Sequence, residues 1–163
     1  MAGRQNLTTE DLAAIAAVSA RGGAQELYRT ADALIQRVIG HNLFTIMRVH
    51  EAAQEVERLY SSNTAAYPVG GRKQKKDTHW GRVVLEEGAV FVARSPADVK
   101  RAFADHELIF SLGIGSIMNV PIGFGGRRLG TMNVSNKANW FTPEDETKGR
   151  IVAALLVPAL LSA

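Results

Sequence analysis

Between Ser116 and Glu146 the sequence prescribes a strand, a tight turn, a second strand and a helix start, with little room for another arrangement. Ser116 to Ile122 and Arg128 to Ser135 are strand-like runs, and Phe124-Gly125-Gly126 between them supplies the positive φ that a tight hairpin demands. Thr142 then caps a helix whose first turn holds Pro143, Glu144 and Asp145. The threonine oxygen accepts an orphan N–H, and the acids sit at the positive end of the helix dipole. Lys137, in the loop just upstream, is close enough in sequence to pair with Asp145 or Glu146 and pin the strand exit onto the helix.

The rest of the chain reads as helix, helix, strand, strand, irregular helical insert, strand and helix before that block. Thr8 or Thr9, followed by Glu10 and Asp11, opens a helix to about Ala20, and Gly22-Gly23 closes it. From Ala24 to Ile39, apolar residues recur at three- and four-residue steps (Leu27, Ala31, Leu34, Ile35, Val38), with Gly40 as the stop. Leu43–Val49 and Glu55–Ser62 predict two strands joined by a short polar turn, hence an antiparallel pair. Within the glycine- and lysine-rich stretch 63–88, only Thr78–Glu86 reads as helix. Ala89–Ala93 is a short strand, Ser95 caps a helix towards Phe103, and Asp105–Leu112 is one or two further helical turns. The last helix is expected to bury Ile151, Leu155 and Leu156 before Pro158 bends or breaks it. Such an order predicts an α+β fold: an antiparallel sheet with terminal helices on one face and inserts on the other.

Composition narrows the function classes. The 163 residues, 46% of them hydrophobic, suffice for one core, and no linker-like tract divides them, so a single domain over 1–163 is expected. No signal peptide is evident and the longest apolar run, Ile151 to Ala163, falls well short of the ~20 residues of a membrane helix, so a cytoplasmic protein is expected. With zero cysteines the chain has no disulfide, thiolate ligand or thiol nucleophile. The net charge of +3 is mild, and only Arg72-Lys73-Gln74-Lys75-Lys76 concentrates it. That cluster reads first as a solvated loop; a lid that attracts anions to a pocket, or a nucleic-acid contact, are the other readings charge alone allows. The aromatic-interleaved basic stripe of a nucleic-acid binder is lacking, so no nucleic-acid partner is expected.

The residues Asn136, Lys137, Phe141, Asp145 and Glu146 spell N-K-x3-F-x3-D-E. This resembles a motif of GAF domains, sensory modules named for cyclic-nucleotide phosphodiesterases, adenylyl cyclases and a bacterial regulator. Ser116–Ile122 and Leu129–Val134 resemble the strand pair of the same family, and the likeness spans about residues 24–160, with 1–23 as an added N-terminal helix. The resemblance implies a GAF/PAS-like sheet and a small-molecule pocket between the sheet and the insert helices. In the branch that carries this motif the ligand is a cyclic nucleotide, while the motif itself is structural. Relatives that reduce free methionine sulfoxide, or that hold a bilin, work through cysteines, which this chain lacks.

On that resemblance the ligand region runs from Tyr60 to Ser116, and offers Tyr60, Ser62, Tyr67, Trp80, Phe91, Asp105, His106, Ile109 and Ser116 as binding residues. Aromatic faces can stack on a flat ring, and hydroxyls and Asp105 can select by hydrogen bonding. Each has a structural alternative: Trp80, Phe91 and Ile109 as core, Asp105 as a helix cap, His106 as a cap or surface contact. The four histidines show no metal spacing, no G-x-S-x-G elbow is present, and Gly123–Arg128 precedes a strand, so it reads as a hairpin rather than a phosphate cradle. The expectation is a stand-alone, non-enzymatic sensor that needs no cofactor, binds a small molecule and signals through a partner protein or a homodimer formed by its terminal helices. A small-molecule enzyme using Asp105 and His106, and an interaction module with a filled pocket, remain as alternatives.

Overall fold

The computed structural model describes residues 3–75 and 78–162. Two helices open the chain, α1 (Thr9–Arg21) and α2 (Ala24–Val38). Thr8 closes a capping box over α1: its hydroxyl accepts the Asp11 N–H and the Asp11 carboxylate accepts the Thr8 N–H. Gly40, at φ +90°, ends α2, and a side chain there would press on the Trp140 ring. Strands β1 (Leu43–His50), β2 (Glu55–Ser61) and β3 (Arg72–Gln74) follow. A short α3 (His79–Gly81), capped by Thr78, runs into a π-helical turn, Arg82–Glu86. Then come β4 (Phe91–Ala93), α4 (Pro96–Ala102), α5 (His106–Ser111), the hairpin β5 (Ser116–Phe124) and β6 (Arg127–Asn136), and finally α6 (Pro143–Leu155) and α7 (Val157–Ser162).

All six strands form one antiparallel sheet in the order β3-β2-β1-β6-β5-β4. Its two faces are chemically different because successive strand residues point to opposite sides. Phe44 and Ile46 of β1, Met118, Val120 and Ile122 of β5, and Met132 and Val134 of β6 form an apolar face under α1, α2, α6 and α7. The other face carries Leu43, Met47, Val56 and Ile117, covered by Trp80, Val84, Val99, Phe103 and Ile109 from the inserted segments. Gly130 is required where β6 crosses β1, since a Cβ there would lie 2.0 Å from the Met47 carbonyl oxygen.

Two sequence expectations are corrected in the C-terminal block. Lys137 pairs with neither acid; its ammonium lies 5.3 Å from the centre of the Trp140 ring. Asp145 is 1% exposed and is taken instead by the Arg4 guanidinium at 3.1 Å, while Glu146 pairs with Arg94 at 3.4 Å. The reason is the orientation of Asp145, whose carboxylate turns back to accept the Thr142 N–H in a capping box and so faces the N-terminal segment. Lys148 reinforces the same junction, its ammonium donating to Val38 O at 2.9 Å, at the negative end of α2, and to Gln5 O at 3.3 Å. Ile151 is exposed rather than buried; Val152, Ala153 and Leu156 fill the core side of this helical region.

The basic cluster also departs from the solvated-loop reading. Arg72–Gln74 adds an edge strand to β2, and Lys73 turns its ammonium inward; Lys76 lies outside the described residues.

Two stability outcomes follow. Phe141, buried in the helix-side core, should cost about 3–5 kcal/mol as Phe141→Ala in urea unfolding, since it leaves a cavity beside the α6 cap. Arg4→Ala should cost about 1–3 kcal/mol, because it strands the Asp145 carboxylate in the interior; a loss no larger than that of an exposed-arginine control would contradict that role.

Candidate functional site: a charged cavity between sheet and inserts

A cavity of about 50 Å³ lies between the non-helical face of the sheet and the inserted segments. Its floor comes from the central strands. Thr45 of β1, Asn133 of β6 and Asn119 of β5 stand opposite one another in register and form a hydrogen-bonded row. Asn119 Nδ2 donates to Asn133 Oδ1 at 2.7 Å, and Asn133 Nδ2 donates to Thr45 Oγ1 at 3.1 Å. Thr131 and Ser135 flank this row, both buried. The remaining acceptor of Asn119, Oδ1, is buried without a partner among the described residues. A buried orphan acceptor costs about 1–3 kcal/mol unless a donor reaches it.

Charge enters from the edge of the sheet. A bulge in β2, between the pairs Ile46↔Tyr60 and Met47↔Arg58, leaves Leu59 unopposed and turns Arg58 onto the cavity face. Arg58 lies 4.8 Å from the centre of the Tyr67 ring and donates to Pro68 O at 3.1 Å; its Nε is buried with no partner among the described residues. Lys73, half-buried as a residue, holds its ammonium 4.8 Å from the Trp80 ring centre and 5.5 Å from that of Phe103. Among the described residues Asp105 is the one carboxylate in the lining, and it accepts the Tyr67 hydroxyl at 2.7 Å.

Burial pushes the Lys73 ammonium below the ordinary lysine range; Asp105 opposes that shift and Arg58 adds to it. Burial, then the bond to Asp105, raises the Tyr67 phenol well above its usual value, so Tyr67 is a fixed donor. Among the described residues two cations thus face one carboxylate already engaged by a tyrosine, which leaves this part of the lining with surplus positive charge.

Of the residues anticipated from sequence, Tyr67, Trp80, Asp105 and Ile109 line this cavity together. Tyr60 and Ser62 do not, because the β2 register sends Tyr60 to the helix side, where its hydroxyl donates to Asp32 Oδ2 at 2.6 Å. Asp32 also contacts His41 Nε2 at 2.6 Å, and Ser62 Oγ accepts the Phe44 N–H. Phe91 packs against Phe103 and His79 and borders a separate surface hollow. His106 turns away to the Phe103 carbonyl, and the buried Ser116 hydroxyl donates to Lys137 O at 2.7 Å. Sequence reasoning missed Arg58 and the Thr45–Asn133–Asn119 row, and met Lys73 only within the basic cluster, for which a lid attracting anions to a pocket was one reading. The row had a signal: polar residues that alternate with the apolar Phe44, Ile46, Met118, Val120, Met132 and Val134.

No curated protein sequence matches the chain. Among solved structures it resembles the GAF domain of a phosphoenolpyruvate-protein phosphotransferase from Acinetobacter, with a TM-score of 0.77 at 16% identity over 98% of this chain and 96% of that one. The corresponding GAF domain from Coxiella burnetii gives a TM-score of 0.77 at 14% identity, over 94% and 92% of the two chains. Free methionine-R-sulfoxide reductase from Neisseria meningitidis, solved with its substrate, gives 0.73 at 14% identity over 100% of both. At such identities these likenesses concern the fold. The family model described as "GAF domain" matches residues 22–160, which take in the sheet, the inserts and α6, and on that match the chain belongs to the GAF domain family.

Proposed function

We propose that this chain is a non-catalytic sensory GAF module that takes a compact carboxylic acid carrying a hydroxyl or amine into the cavity between sheet and inserts. One observation carries the reading: Arg58 and Lys73 converge on a space between sheet and inserts whose single carboxylate among the described residues, Asp105, is already bonded to Tyr67. A guanidinium and an ammonium in a water-poor site recognise a carboxylate by charge-assisted hydrogen bonds. The unpartnered Asn119 Oδ1 supplies the second criterion, since it favours a ligand with an O–H or N–H and disfavours the analogue without one. Ligand occupancy would neutralise Lys73 and fix β3 against the inserts.

Cyclic nucleotides form a second reading, favoured by Asn136, Lys137, Phe141, Asp145 and Glu146. At about 50 Å³ the cavity is far below the ~300 Å³ or more of ordinary ligand pockets, so a nucleotide requires outward movement of β3 and α3. In either case output would pass through the terminal helices to a second copy or a partner protein; Ile151 on α6 and Leu161 on α7 are exposed there, at 40% and 51%. No described helix is long and apolar enough to cross a membrane, which accords with action as a cytoplasmic protein.

Thermal unfolding against unsubstituted, hydroxy and amino acids and cyclic nucleotides tests the proposal. A ligand at ~100 times its dissociation constant adds about 2.7 kcal/mol and should raise the midpoint by several degrees. The proposal expects hydroxy or amino acids to outperform their unsubstituted analogues, and Lys73→Met to abolish the shift. Shifts from cyclic nucleotides alone would favour the second reading, and no shift from any compound would favour an interaction module.

The same variant tests the electrostatics of the unliganded protein. Because the folded state binds the Lys73 proton less tightly than the unfolded chain does, the unfolded state holds more protons, and stability rises with pH. The rise should span the window from the depressed folded value up towards pH ~10, where an unfolded lysine titrates. In Lys73→Met the slope should be shallower across that window, read as unfolding free energy against pH; an unchanged slope would place the ammonium in solvent.

A further inference from the structure

The ladder between β1 and β6 stops at the pair Arg48↔Gly130, yet β1 continues to His50 and β6 begins at Arg127. The two strands therefore diverge at this end of the sheet, and a cleft of about 410 Å³ opens between them, closed on one side by α7. This volume falls in the range of small-molecule sites, roughly 300–1,000 Å³. Arg48, Arg127 and Arg128 all line it, and none has an ion-pair partner among the described residues. Arg150 extends the positive charge into the adjoining hollow, which shares Arg128 and Gly126.

Two carboxylates share the lining and do not cancel this charge. Glu51 is held by Lys75, whose ammonium contacts both of its oxygens at 2.9 and 3.0 Å, and Glu86 is exposed. Arg128 is the informative residue. Its guanidinium lies so close over Gly88 that a Cβ there would meet Nη2 at 2.1 Å. Nη1 donates to Gly126 O at 3.3 Å, whereas Nε is buried and has no acceptor among the described residues. A desolvated guanidinium N–H without an acceptor is costly, and three guanidiniums around one cleft match the oxygen geometry of phosphate.

We propose that this cleft is a second ligand site, separate from the sheet–insert cavity, which binds a small soluble phosphate compound. The Arg128 guanidinium, with those of Arg48 and Arg127, would neutralise the phosphate oxygens. Leu129, Leu160 and Leu161 would receive an apolar portion of the ligand.

Isothermal titration of the full chain with pyrophosphate at low ionic strength is the test. The expected result is saturable binding that weakens about tenfold or more in Arg128→Gln and in Arg127→Gln, and that survives Lys73→Met. Arg127 is exposed, so its variant keeps the fold and carries the test even if Arg128→Gln does not. Absent pyrophosphate binding, binding unchanged in Arg127→Gln, or binding lost only in Lys73→Met would each overturn the assignment. So would co-sedimentation with phosphatidylcholine vesicles containing phosphatidylglycerol without any affinity for pyrophosphate, which would mark a lipid surface instead.

Discussion

The period-two alternation of the central strands governs everything else in this molecule. Because the central parts of β1, β5 and β6 are covered on both sides, each residue there is committed to one of two interiors. Phe44, Ile46, Met118, Val120, Ile122, Met132 and Val134 supply an apolar bed on which the terminal helices settle. The residues between them, Thr45, Asn119, Thr131, Asn133 and Ser135, would be a liability in a dry core, and here form the polar floor of a cavity. A slip of one residue in any of these strands would exchange the two sets, so the register that folds the protein also defines its site.

Around that sheet, the junction of the two chain ends is held by charges with little access to water. Asp145 sits at the centre, accepting the Thr142 N–H and the Arg4 guanidinium, while Lys148 caps α2 through Val38 O. Buried ions of this kind are worth less as sources of stability than as constraints on geometry, since only one arrangement satisfies them. Arg4 lies outside the part of the chain that the family model covers, so this chain adds its own contact to the motif residue Asp145.

Most of the fold could be read from the sequence, for reasons visible in particular residues. Thr8, Ser95 and Thr142 each close a capping box, and such local hydrogen bonds do not depend on distant contacts. The stripe on α2 and the glycines of the β5–β6 turn are likewise local. Edge strand β3 escaped because its three residues are charged or polar, and only pairing with Glu55–Glu57 makes them a strand. Lys137 was misassigned for a related reason: proximity in sequence suggested Asp145, whereas Arg4, which pairs with it, lies far away in the chain. The candidate site was legible only in part. Tyr67, Trp80, Asp105 and Ile109 came from the inserts as the resemblance implied, but Tyr60 and Ser62 fell on the wrong side of the sheet.

That last error traces to a single unopposed residue, Leu59, and the same residue has an implication for how such a protein can diversify. The bulge divides β2 into two independently registered halves. Downstream of it, Tyr60 belongs to the Asp32–His41 cluster under α2; upstream of it, Arg58 and Val56 belong to the cavity side. Substitutions in Glu55–Arg58 can therefore retune the charge offered to a ligand while the helix-side packing stays as it is. Deleting Leu59 would make Tyr60 and Arg58 successive partners of Ile46 and Met47, and so would keep the tyrosine beneath the helices and the arginine on the cavity side. Ligand preference in this architecture is thus open to gradual change by substitution, and indifferent to loss of length at that one point.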